Sequence, residues 1–124
     1  MRILKNISLA ILVLGYLIAG VNHFIHPQGY ISIIPSYLPA PVMLNYLAGF
    51  FEVLFALMLI RPQTRKVASY GIILMLIAFL PVHITMLVHS PLKVGSLLVT
   101  PAIAWVRLAL QPVLMLWAWW HAKS

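Results

Sequence analysis

Cysteine is absent from this chain, and acidic residues nearly so: Glu52 is the single carboxylate side chain in 124 residues. Without cysteine there can be no disulfide, thiolate metal site, thiol-attached haem or dithiol redox chemistry. A redox role would therefore need a bound cofactor or a partner. The lack of aspartate excludes a Ser-His-Asp triad, and a lone glutamate excludes the paired carboxylates of a glycosidase. Glycine-rich phosphate loops are missing too. Charge of either sign is scarce: 7% of residues are charged against 64% hydrophobic. A mean hydropathy of +1.06 is too apolar for a soluble domain and indicates one integral-membrane bundle.

What charge there is carries one sign, +7 net with a pI near 10.3. Such a balance raises nucleic acid as a partner, but the basic residues stand at the ends of apolar runs. There they act as topological anchors, so no nucleic-acid partner is expected.

The apolar runs read as four spans in an all-α, four-transmembrane-helix bundle, over about residues 4–25, 42–60, 67–88 and 101–120. Each is close to the ~20 residues that cross a ~30 Å hydrocarbon core. The basic start of the first run resembles a secretory signal, yet the run is long and lacks a convincing cleavage site, so a retained helix is expected. Between the first two spans, Pro27, Gly29, Pro35, Pro39 and Pro41 prevent a long helix, while Tyr30, Ile31, Ile33, Ile34 and Tyr37 are too apolar for a free loop. This proline-rich stretch is expected to be a re-entrant or interfacial segment across the bundle mouth. Pro81 is expected to kink the third span and to leave the Ile77 carbonyl free for another donor.

Glu52 organises the chain chemically, because a carboxylate facing lipid costs several kcal/mol. It must be protonated, paired or turned toward a polar cavity. Asn45 and Glu52 are seven residues apart and share a helix face, with Gly49 between them permitting close approach of another helix. Arg107, four residues before Gln111 on one face of the last span, is the expected cation.

Lys and Arg counts set the orientation. Arg2, Lys5, Arg61, Arg65, Lys66 and Lys123 lie at one side, whereas the other connections carry only Lys93. Both termini are thus expected in the cytoplasm, in a bacterial-type inner membrane. At ~1.5 Å per residue, Glu52 and Arg107 then lie roughly 15 and 9 Å below the outer boundary. Asn22, His23 and His83 fall in the same outer half, beneath the proline-rich cap.

Two readings of Glu52 and Arg107 follow. One is a structural ion pair fixing how two helices dock. The other is a ligand-orienting or proton-handling pair, in which a carboxylate supplies a proton to a quinone and a guanidinium polarises its carbonyl. His23 and His83 are open to three: hydrogen-bonded neutral side chains, quinone-site donors, or axial ligands of haem. No spacing within a helix specifies a metal site. Met75, Met86 and Met115 with Phe50, Phe51, Phe55 and Phe79 fit either the wall of a flat-ligand pocket or ordinary packing. Transport through four spans would require oligomerisation.

Several short motifs occur in order: Tyr16-x-x-x-Gly20-x-x-His23-Phe24 with Pro27, Ile34-Pro35-x-x-Leu38-Pro39, Gly49-x-x-Glu52, Arg61-Pro62-x-Thr64-Arg65, and Arg107-Leu108-x-Leu110-Gln111 with Trp117-Ala118-Trp119. Over about residues 10–120 this pattern resembles the DoxX-like family of small four-helix membrane proteins. The resemblance implies a four-span bundle and a link to membrane-bound oxidoreductases, since relatives are associated with quinone-linked sulfur oxidation, oxidative-stress complexes or assembly of other membrane proteins. The expectation is an accessory subunit of quinone-linked redox metabolism, with a site drawn from Glu52, Arg107, His23, His83, Asn22, Asn45 and Gln111. The alternative is an assembly or stabilising factor, as a homo-oligomer or with a membrane-protein partner, pairing through small residues such as Gly15 and Ala19.

Overall fold

Proline punctuates the fold. In the computed structural model, whose described residues are 2–94 and 97–123, Pro27, Pro41, Pro62, Pro81 and Pro101 each occupy the first or second position of a helix. A helix start lacks acceptors for its first amides, so a residue without an N–H loses nothing there. The elements are α1 (Arg2–Ile25), α2 (Pro27–Ser32), α3 (Pro41–Ile60), α4 (Pro62–Ala78), α5 (Leu80–His89), strands β1 (Leu92–Val94) and β2 (Leu97–Val99), and α6 (Pro101–Ala122). Four helical stretches, Arg2–Ile25, Pro41–Ile60, Pro62–His89 and Pro101–Ala122, are long and apolar enough to cross a membrane.

Burial is inverted relative to a soluble protein. Leu14, Ile18, Leu74, Val106 and Leu116 are exposed, whereas His23, Asn45, Glu52, Ser69, Gln111 and His121 are buried. Apolar lipid gives little reason for helices to associate, so contact must come from close packing and from hydrogen bonds between helices. Gly20 and Gly49 provide the first: a Cβ on Gly49 would lie 2.7 Å from the His23 Cβ and 2.9 Å from the Gly20 carbonyl oxygen. Backbone meets backbone at this crossing of α1 and α3.

Packing runs in chain order, α1 on α3, α3 on α4, and α6 on α4 and α5. The pair that would close the ring, α1 with α6, does not pack closely along its backbones. Side chains bridge it at the end carrying both termini. There the Trp117 indole donates to Ser8 Oγ at 2.7 Å, and Ser8 Oγ lies 3.0 Å from His121 Nε2. Lys5 and Lys123 sit over the rings of Trp120 and Trp119 at the same end.

The Arg61-Pro62-x-Thr64-Arg65 motif has a structural explanation. The last carbonyls of α3 lack helical partners. Thr64 Oγ1 donates to Met58 O at 2.6 Å, and Arg65 donates to Leu59 O and Ile60 O at 2.7 and 3.1 Å. The first turn of α4 is thereby tied to the end of α3.

Two expectations need correction. Pro81 does not merely kink a helix: it divides the third stretch into α4 and α5, with Phe79 between them. Amides at this cap bond to Met75 O and Ile77 O, so the Ile77 carbonyl is satisfied and is not the acceptor left for another helix. The chain is also not purely α-helical. Leu92 pairs with Val99, Lys93 with Leu98 and Val94 with Leu97 in a small antiparallel ladder. Such a hairpin is marginal alone. It is held because Val99, 2% exposed, packs into a second small core with Met86 and Ala104. Three-residue strands are too short to reveal themselves by alternation.

Candidate functional site

The crossing at Gly20 and Gly49 places His23 beside Asn45 and Glu52, one helical face against another. Helical hydrogen bonding would pair the His23 carbonyl with the amide of residue 27, but that residue is proline and has no N–H. Asn45 supplies the missing donor, its Nδ2 lying 3.0 Å from His23 O. This turns Asn45 Oδ1 toward His23 Nδ1 at 2.7 Å, so Nδ1 must carry a hydrogen. Tyr30, whose hydroxyl accepts from Asn22 Nδ2 at 2.7 Å, stacks on the imidazole with ring centroids 3.8 Å apart.

With Nδ1 committed, the free lone pair or second proton of the ring is at Nε2, which faces Glu52 Oε1 at 3.5 Å. A proton shared there gives either imidazole with carboxylic acid or imidazolium with carboxylate. Both forms are neutral as a unit, which answers the cost of an isolated buried charge. The other carboxyl oxygen, Oε2, has no hydrogen-bond partner among the described residues, although Glu52 is only 5% exposed.

Arg107 is not the direct partner of Glu52. Its Nη1 donates to Gln111 Oε1 at 2.7 Å, and Gln111 Nε2 donates in turn to Leu76 O at 2.8 Å, pinning α6 to the last turn of α4. The reason is helix order: α3 packs on α1 and α4, so α6 stands diagonally across from it. What separates the two charged groups is a cavity of about 320 Å³. Glu52 and Arg107 both line it, with Tyr16 as a further polar side chain and Met75, Phe79 and Trp117 among its apolar walls.

Of the residues singled out by sequence, the structure thus joins His23, Asn45 and Glu52 in one cluster and Arg107 with Gln111 in another, facing each other across this space. Asn22 belongs instead to a second pocket of about 580 Å³ near α2, lined also by His26, Tyr30 and Val94. His83 is buried on α5 and outside the lining of the first cavity, with its Nδ1 unpartnered among the described residues. The two ring nitrogens of His23 thus face Asn45 Oδ1 at 2.7 Å and Glu52 Oε1 at 3.5 Å. Among the expected pocket-wall residues, Met75 and Phe79 are on the cavity, Phe50 and Phe51 are exposed, and Met86 is in the second core.

Three participants escaped the sequence reading. Tyr16 sits seven residues before His23 and so shares its face of α1, a spacing that was legible. Trp117 reads as an interfacial marker, yet its ring lines the cavity and its N–H holds Ser8. His121, apparently a terminal polar residue, is fully buried against Ser8. Gly15 and Ala19, expected to face another protein, line the cavity as well.

A family model described as a domain of unknown function (DUF8561) matches residues 12–122, and the chain belongs to that family. No curated protein and no solved structure matches it.

Proposed function

We propose that this member of the DUF8561 family is a four-span inner-membrane protein with both termini in the cytoplasm, acting as an accessory subunit of quinone-linked redox metabolism. On this reading the stretch from Pro27 to Ala40 is the interfacial cap of the bundle. The cavity between Glu52 and Arg107 receives the ring of a quinone-type ligand. The observation that carries the proposal is a largely apolar cavity lined by both a buried carboxyl group, Glu52, and a guanidinium, Arg107.

The chemistry is complementary to such a ring. Arg107 donates hydrogen bonds and favours a ring carbonyl; the Glu52 carboxyl group accepts and favours a ring hydroxyl. Met75, Phe79 and Trp117 supply the apolar and aromatic walls on which a flat ring rests. A volume of about 320 Å³ falls at the lower end of the ~300–1,000 Å³ usual for ligand pockets. The His23 and Glu52 unit is positioned to hand a proton to a ring oxygen or take one from it. With no cysteine in the chain, electrons must come through a bound cofactor or a partner. The resemblance to the DoxX-like family points in the same direction.

The test is extraction and mass spectrometry of gently purified protein, wild type against Glu52→Gln. The variant keeps the shape of the side chain and can still hydrogen-bond to His23, but cannot release a proton. A ring-bearing lipid recovered from wild type and lost from the variant supports the proposal. An empty cavity together with one membrane protein recovered at constant ratio would instead favour an assembly factor, for which the open space beside Gly15 is the supporting observation.

A further inference from the structure

The cavity has a side door. On α1, Ser8, Ile11, Leu12, Gly15, Tyr16 and Ala19 recur at helical spacing and so lie on the face turned toward α6. At Ser8 this face is shut by the hydrogen bonds to Trp117 and His121. Above that latch the helices are not packed together, and the cavity lies between them. Ile11 and Gly15 line it and are also exposed on the outside of the bundle. A Cβ added to Gly15 would meet nothing within 4 Å.

Size decides what can sit inside. A cavity of about 320 Å³ is at the small end of ligand pockets and suits a substituted ring. Glu52 and Arg107 are polar groups on its lining, while Ile11 and Gly15, which line it and are exposed, make its opening between α1 and α6 apolar.

We propose that the ligand is a head-and-tail lipid whose polar ring lies between Glu52 and Arg107 and whose hydrocarbon tail leaves sideways between α1 and α6, over Gly15, into the bilayer. The inference rests on the cavity being a ligand site, as argued above, and adds the place where the tail leaves and the route by which the ligand enters. Glycine at position 15 keeps the passage clear, and the Ser8, Trp117 and His121 bonds hold the two helices at a fixed separation below it. The ligand therefore enters from the membrane and not through the cap.

Two probes with the same head separate the tail from the ring: decylubiquinone, with a ten-carbon tail, and the tail-less 2,3-dimethoxy-5-methyl-benzoquinone. Binding is measured to full-length protein in lipid nanodiscs, by quenching of tryptophan fluorescence. Wild type should bind the tailed probe about tenfold or more tightly than the bare ring, because the tail gains contact along both helices. Gly15→Leu should weaken the tailed probe by a larger factor than the bare ring and so abolish that advantage. Gly15→Ala, which adds a single methyl, should have a small effect, and Leu14→Trp, on the neighbouring exposed face, none. Circular dichroism of each variant checks that the helices are retained, which the open space beside Gly15 leads us to expect. Equal binding of both probes to wild type, or equal loss of both in Gly15→Leu, overturns the tail route and leaves the ring site standing. Failure of wild type to bind either probe overturns the ring site and the tail route together.

Discussion

His23 and Asn45, 22 residues apart, hold each other by two hydrogen bonds, one from the imidazole to the amide oxygen and one from the amide nitrogen to the histidine carbonyl. The second replaces the bond that Pro27 cannot make. One asparagine therefore repairs the end of α1, sets the tautomer of the imidazole and leaves Nε2 toward the only carboxylate. Replacing it by leucine, which has the same branched four-atom skeleton and no polar group, should strand the Nδ1 hydrogen and the carbonyl. Each buried group left unpaired costs about 1–3 kcal/mol, and thermal unfolding in detergent measures the sum. A change within experimental error would show that the pair is not formed.

Gly49 should tolerate no side chain. Its added Cβ would press on the His23 Cβ and the Gly20 carbonyl, neither of which can rotate away. Gly49→Ala is expected to push α1 from α3 at a cost of about 1–3 kcal/mol. Gly15→Ala, in open space, should be nearly neutral. Comparing the two melting temperatures tests whether glycine at each position serves packing or access.

Gln111 joins α6 to α4 and orients Arg107. Gln111→Leu removes the donor to Leu76 O and the acceptor for the guanidinium, with an expected loss of about 1–3 kcal/mol. Because Arg107 then swings free, binding of the ring probe should weaken more than stability alone explains. Equal ring affinity in variant and wild type would argue against a role for the Arg107 orientation.

Ala40 precedes α3 with φ of 49° and ψ of 61°, in the left-handed region. An L side chain there costs roughly 1–2 kcal/mol, which glycine avoids. Ala40→Gly should raise the melting temperature, by less than that full amount since glycine also gains freedom in the unfolded chain. A lower melting temperature would place the residue elsewhere.

Much of the architecture is legible in the primary structure. Helix length follows from runs of apolar residues, and the inward face of α3 follows from the seven-residue separation of Asn45 and Glu52, because both depend only on the rise and pitch of a helix. The carbonyl orphaned four residues before a proline is equally local. That argument applied to Pro81 suggests a free Ile77 carbonyl, which a cap satisfies instead; applied to Pro27 it finds the His23 carbonyl that Asn45 takes.

Which helix stands beside which is not a local property. The spacing of Glu52 and Arg107 along the chain is compatible with contact, and only the order of packing puts α6 diagonally across from α3, leaving His23 as the neighbour of the carboxylate and a cavity where an ion pair was expected. The burial of His121 and the pairing of β1 with β2 are of the same kind. Composition required that a lone negative charge among hydrocarbons be compensated; three-dimensional packing chose the compensating group, since depth and face are written in one helix at a time whereas proximity belongs to the bundle.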